Sequence, residues 1–421
     1  MEQQEEISEH PSQKAGYLST FFSLYLAQAV PMSFFTTALQ VILREQAVPL
    51  SLIGLLQIVK LPWILKVFWS PAIDRHCQTV GDYKRTIIGA EIFYSLLILV
   101  TSLFDLHTIL PLSFHLLIVL ILLALAASAT QDIATDALAI RTSAPHQRGL
   151  LNSMQSMGSF GGSLLGSGVL LMVLHSYGWN RVTQCLSLFV LIAMVPLWLH
   201  KKLRFQQERQ SKQRATWRDF GHFFTQKGIS RQLIFLVLYY TGIIGIMSML
   251  KPFMVDLGYS MKEIGFLCGI VGIGSAFIMA YPAGLLVRRW GVQRMRIVFA
   301  FVMFLATLTF VWLAMNRPST PVLTAAIIVL WGSYGMGTVV VYTSSMHHVR
   351  AGREGTDFTV QTVITHLMGI LISIICGIIA NSIGYTGMFA LQGAIALASF
   401  FYTMYMNEQS KDNERNTIQE I

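Results

Sequence analysis

Charge is scarce in this sequence: of 421 residues only 12% are Asp, Glu, Lys or Arg, about half the fraction a water-soluble chain uses to cover its surface. A soluble multidomain protein is thereby excluded. Cysteine is also sparse. Cys77, Cys185, Cys268 and Cys376 stand apart, with no C-x-x-C pair and no histidine at metal-ligand spacing, so neither a disulfide framework nor a metal site is expected. No G-x-x-x-x-G-K-[ST] loop is present, which excludes a chain that powers itself with ATP in the P-loop manner. G-x-S-x-G and H-E-x-x-H are missing too, and no polar segment is longer than about 30 residues, so no extramembrane catalytic domain and no cofactor are expected.

What is abundant is apolar sequence, 54% of the chain. It arrives in blocks of about 20 residues, the length of a helix crossing a hydrocarbon core, rather than as alternating ten-residue barrel strands. Six blocks fall near residues 17–43, 49–71, 86–105, 112–140, 150–175 and 181–200. After a polar stretch, six more fall near 232–255, 263–287, 296–315, 321–346, 360–380 and 386–406. The layout is therefore a tail at 1–16, a first bundle at 17–200, a central loop at 201–231, a second bundle at 232–406 and a tail at 407–421.

Positive charge supplies the orientation. Numbering the blocks as spans 1 to 12, 23 Lys and Arg lie on the side of the N-terminus and five lie opposite, with Lys60 and Lys66 left inside span 2. Basic loops mark the cytoplasmic side, so both termini and the central loop are expected there. The net charge of +9 comes from these short loops, which makes the lipid bilayer, not nucleic acid, the expected partner. The acidic start Met1–His10 lacks the basic region of a signal peptide, so the first block is expected to remain as a helix.

The two halves resemble copies. S-P-A-I-D-R-H-C-Q-T-V-G-D-Y-K-R after span 2 matches Y-P-A-G-L-L-V-R-R-W-G-V-Q-R-M-R after span 8, each read as a Pro-Ala turn followed by basic residues. A-P-H-Q-R-G-L-L-N-S-M-Q after span 4 pairs with A-G-R-E-G-T-D-F-T-V-Q after span 10. Two similar bundles around a midplane site form the plan of an alternating-access carrier.

The six-plus-six layout, the cluster Asp74, Arg75, Lys84, Arg85 and the P-x-x-R-G loop at Pro145, Arg148 and Gly149 resemble the major facilitator superfamily. Leu43–Leu56, Leu61–Arg75 and Ala129–Asp136 are similar to the branch of AmpG-type muropeptide permeases and rhizobactin- and pyochelin-type siderophore permeases. Thr356–Gln361 leans toward the siderophore members, and Val287 stands where the second copy of the motif would carry an Asp. The resemblance implies an all-α integral membrane fold of 12 helices in two pseudo-symmetric six-helix bundles, a monomer, in a bacterial cytoplasmic membrane. It also implies a secondary carrier, without enzymatic activity, for a polar or amphiphilic solute.

Ionisable groups inside spans are costly, by about 2.5–3.5 kcal/mol each, so each needs a partner or a task. Asp132 and Asp136 share one face of span 4, with Gln131 and Thr135 beside them. Two acids one turn apart repel, which suits one of them to proton coupling. Lys60, mid-span, is expected to face the cavity. There it either pairs with Asp132, as transport machinery or as a structural tie, or receives an anionic substrate group; Lys66 is expected to snorkel. Glu91 in span 3 and His366 in span 11 are further proton or substrate candidates. By resemblance, span 1 and span 7 line the cavity, which nominates Tyr25, Gln28 and Tyr240. Asp74 and Arg75 belong by the same resemblance to a cytoplasmic latch, and Asp136 is placed near Arg75, Arg141 or Arg148 as a gate salt bridge.

Gly158, Gly162 and Gly166 in span 5, and Gly265 and Gly269 in span 8, recur at spacing that permits close helix approach. The resemblance implies that spans 5 and 8 meet across the bundles, so these stripes form either a rocking surface or plain packing. A proton-coupled importer of a siderophore or muropeptide is the expectation. An efflux or antiport carrier of the same fold, an intramembrane enzyme and a non-transporting sensor are the alternatives.

Overall fold

The computed structural model describes residues 11–45, 59–104, 111–206, 214–316 and 318–419. The first ten residues of the expected N-terminal tail, the opening of span 2 at 49–58 and the loop positions Arg209 and Lys212 lie outside the described residues. Eight helical stretches among the described residues are long and apolar enough to cross a bilayer. Two of these, Pro145–Leu199 and Glu354–Gln409, are 55 and 56 residues long, about twice what one crossing needs at 1.5 Å per residue.

Each double-length stretch turns back at one glycine in the left-handed region, Gly178 (φ 74°) and Gly384 (φ 72°). Side-chain bonds establish the reversal. Trp179 Nε1 donates to the Thr101 carbonyl at the far end of span 3, while His200 accepts from Lys84 at the near end. In the second half Thr386 meets Ala314 at one end and Tyr402 meets Arg231 at the other. Both doubles are hairpins, and they stand at matching places in the two halves.

Span 3, Val80–Thr101, begins before its apolar block because Thr79 and Asp82 form a reciprocal cap, with Asp82 N–H donating to Thr79 Oγ1 at 3.1 Å and Thr79 N–H to Asp82 Oδ2 at 2.9 Å. Asp82, Lys84 and Arg85 precede its apolar block, and Glu91 lies within it. Span 2 is not one helix. It is broken into Leu61–Leu65, a 3-10 turn at Lys66–Phe68 and Ser70–His76. Pro71 lacks the N–H that would reach the Val67 carbonyl, and Ser70 Oγ donates to that carbonyl instead, at 3.0 Å. The expected Pro-Ala turns are helical: Pro71 opens Ser70–His76, and Pro282 lies inside Ile273–Trp290.

Two apolar cores fill the first half, one around Phe34 and Trp179, the other around Phe21, Tyr83 and Leu138. One larger core, around Phe235, Phe299, Phe310 and Phe389, fills the second. Across the halves, span 5 packs on spans 8 and 10, and span 11 on spans 2 and 4. Spans 5 and 8 each contain a π-helical stretch, Leu164–Val169 and Gly265–Gly272, and these two stretches touch.

Candidate functional site

Between the halves lies a cavity of about 350 Å³. Its floor comes from span 4. Asp132 is ion-paired with Lys66 Nζ, and both side chains are nearly sealed from solvent. The 3-10 turn that Pro71 enforces holds Lys66 at this depth, with its ammonium 4.8 Å from the Trp63 ring centre. One turn nearer the termini, Asp136 Oδ1 accepts from Tyr25 Oη at 2.7 Å and from Gln155 Nε2 at 3.2 Å. Across the cavity, His366, Thr362, Tyr334, Tyr342 and Thr338 form the wall supplied by the second half.

Several expectations are corrected by this geometry. Lys66, not Lys60, is the partner of Asp132; Lys60 is exposed and lines the cavity. The sequence reading assumed a continuous helix through span 2, and the break changes which lysine reaches span 4. Among the described residues Asp136 is not in a gate salt bridge: it lines the cavity with Gln155 and accepts from Tyr25 behind it. Tyr25 sits behind Asp136 rather than on the cavity surface, Gln28 does line it, and Tyr240 is packed behind Tyr334 with ring centres 5.4 Å apart. Gln131 turns away, donating to Thr135 Oγ1 at 3.0 Å. Glu91 is buried in the first half, away from the cavity lining, with neither carboxyl oxygen hydrogen-bonded.

The termini end of the cavity is sealed by contacts between the halves. Asp74 accepts from Gly355 N at 2.9 Å, Thr356 N at 2.7 Å and Thr356 Oγ1 at 2.6 Å, so it caps the N-terminus of span 11. Arg148 donates to the Met346 carbonyl at 2.7 Å, Asn152 to Thr343 Oγ1 at 3.1 Å and Thr338 to Ser156 Oγ at 2.8 Å. Arg75 is exposed instead of joining this seal. Arg141 lies 3.7 Å over the Phe205 ring of the central loop and is bonded to the Gln78 carbonyl.

The family model described as Major Facilitator Superfamily matches residues 17–373. The chain belongs to the major facilitator superfamily. It is therefore a multi-pass membrane carrier of small-molecule solutes and not an enzyme. It is 23% identical over 403 residues to the putative transporter AmpG 4 of Rickettsia conorii, covering 93% of this chain and 96% of that one. It is 20% identical over 381 residues to the anhydromuropeptide permease of Escherichia coli K12, covering 89% and 76%. In fold it matches the human organic anion transporter MFSD10, with a TM-score of 0.74 at 13% identity, over 94% of this chain and 100% of that one.

In this superfamily member the glycine stripes are not the points of tightest approach between bundles, although the stretches that carry Gly166, Gly265 and Gly269 touch. A Cβ at Gly158, Gly162 or Gly166 would strike Tyr25, Ala29 or the Val30 carbonyl, all of span 1 in the same bundle, while Gly265 and Gly269 face open space. The close approach across bundles is at Gly149, which meets Val287 and Gly284, and at Gly284, which meets Ser153. Sequence reasoning named Arg148 as a gate residue but missed Asn152 and Ser156, which continue it as a ladder across the halves. Its signal was present as polar residues four apart on span 5.

A second cluster ties the central loop to the seal. Arg350 bonds Asp357 Oδ1 at 2.7 Å and the Asp219 carbonyl at 2.7 Å, and Arg353 Nε lies 3.2 Å from Asp219 Oδ1. Burial pushes the Asp219 carboxyl up, but the Thr216 N–H, Arg353 and the Thr216 hydroxyl together hold it below the usual carboxylate range. Phe223, in the linker helix Arg218–Phe223, is buried among Val67 of span 2 and Val360 and Val363 of span 11.

Proposed function

We propose that this transporter is a proton-coupled importer of an anionic, amphiphilic solute of the muropeptide type, with both termini and the 201–231 linker in the cytoplasm of a bacterial inner membrane. The observation that carries this reading is the Lys66–Asp132 pair with Asp136 one turn below it, facing a cavity whose termini end is closed. With the basic loops on the cytoplasmic side, that closure makes the arrangement outward-facing.

A buried ion pair is stable only while both members are charged. Protonating Asp132 releases the Lys66 ammonium to an anionic group of the solute, and returning the proton restores the pair. Neighbouring Asp136, one turn away on the same helix, makes it costly for both acids to be charged at once. Trp63, Phe160 and Tyr334 offer flat apolar surfaces, Ser156, Ser159 and Ser163 offer hydroxyls, and Lys60 offers a cation on the cavity wall. That combination suits a sugar-peptide with carboxylates. A siderophore is the second solute class, on the resemblance of Thr356–Gln361 to the siderophore members.

Radiolabelled anhydromuropeptide uptake into proteoliposomes tests the reading. Accumulation driven by an inward proton gradient and abolished by an uncoupler is expected, with Asp132→Asn keeping exchange but losing accumulation. Accumulation insensitive to the gradient would overturn proton coupling, and solute extrusion would establish the efflux alternative.

A further inference from the structure

The linker helix Arg218–Phe223 presents two different faces. Asp219 and Phe223 turn inward, Phe223 with no exposed surface, and they bind the gate cluster described above. Trp217, Phe220 and Phe224, at helical spacing on another face, are 62%, 37% and 46% exposed. Arg218, Lys227 and Arg231 are exposed beside them. Three aromatic rings on one unpartnered face are costly in water, and an aromatic stripe next to basic side chains has the chemistry of a segment lying in a headgroup layer.

Position favours the same occupant. Gly228, left-handed at φ 85°, leads directly into Ile229, the first residue of span 7. Phe224 is thus held close to where the chain enters the hydrocarbon. We propose that the aromatic face of this helix is seated in the headgroup layer of the termini-side leaflet, with Arg218 and Lys227 on anionic lipid phosphates. The seated helix holds Phe223 between spans 2 and 11, so anionic lipid favours the sealed state of the termini end. The basic residues supply the charge complementarity to an anionic surface.

The test uses the full-length protein in nanodiscs of phosphatidylcholine alone or with phosphatidylglycerol. Subtracting the emission of Trp217→Phe from that of the wild type isolates the Trp217 signal. This signal is expected to be quenched by lipids brominated near the headgroup, protected from aqueous iodide, and quenched more strongly by bromolipid with phosphatidylglycerol present. The double variant Arg218→Gln/Lys227→Gln should lose at least half of that phosphatidylglycerol preference. A Trp217 signal open to iodide and untouched by bromolipid in both membranes would overturn the proposal and leave the stripe to a soluble protein partner. Bromolipid quenching indifferent to phosphatidylglycerol would overturn the anionic-lipid assignment.

Discussion

Lys66→Met leaves the Asp132 carboxylate buried without its cation, whereas Lys66→Met/Asp132→Leu removes both charges and fills the space with apolar atoms. The two side chains are 2% and 4% exposed, so solvent screening gives little relief. Breaking one member of such a pair costs about 3–5 kcal/mol, while replacing both is close to neutral. At roughly 2.1 cal/mol/K of unfolding entropy per residue, a chain of this length loses about 0.9 kcal/mol of stability per degree. The single variant should therefore melt about 3–6 °C below wild type and the double variant within about 2 °C of it. Thermal unfolding in nanodiscs measures the first quantity, and gradient-driven uptake the second. Uptake should be lost in both variants, which separates the stabilising role of the pair from its role in transport. A Lys66→Met protein as stable as wild type would refute the buried pair. A double variant that still accumulates solute would refute its part in coupling.

Two further outcomes follow from close contacts. Gly166→Ala places a Cβ 2.3 Å from the Val30 carbonyl, whereas Gly269→Ala meets nothing within 4 Å; the first should cost about 2–3 kcal/mol and the second less than about 0.5 kcal/mol, read as melting temperatures of the purified proteins. Asp74→Ala removes three hydrogen bonds between the halves, of about 1.5–3 kcal/mol each for a charged acceptor, so it should increase the fraction open at the termini end. Spin-label distances between spans 2 and 11 report that fraction, and an unchanged distribution would contradict the role of Asp74 as a latch.

The apolar blocks made the helical spans legible because a membrane leaves little choice: every backbone group inside it must be bonded within a helix. The matched halves and the acids of span 4 were legible for the same reason, since polar residues in lipid are conspicuous. Partners were not legible. Whether Lys60 or Lys66 meets Asp132 depends on the 3-10 turn that the Pro71 break introduces. A stripe such as Gly158, Gly162 and Gly166 announces close approach without naming the helix approached, and that helix is span 1. Asp74 reads as a latch residue without a named partner because the helix N-terminus at Gly355 and Thr356 is invisible from residue 74.

The single-residue reversals at Gly178 and Gly384 have a practical corollary. Because each hairpin spends almost nothing on connecting chain, that surface offers neither a nicking site for proteases nor slack for an epitope tag between these crossings. Any larger residue there would have to adopt a backbone shape that only glycine enters at no steric cost, so both corners should resist replacement equally.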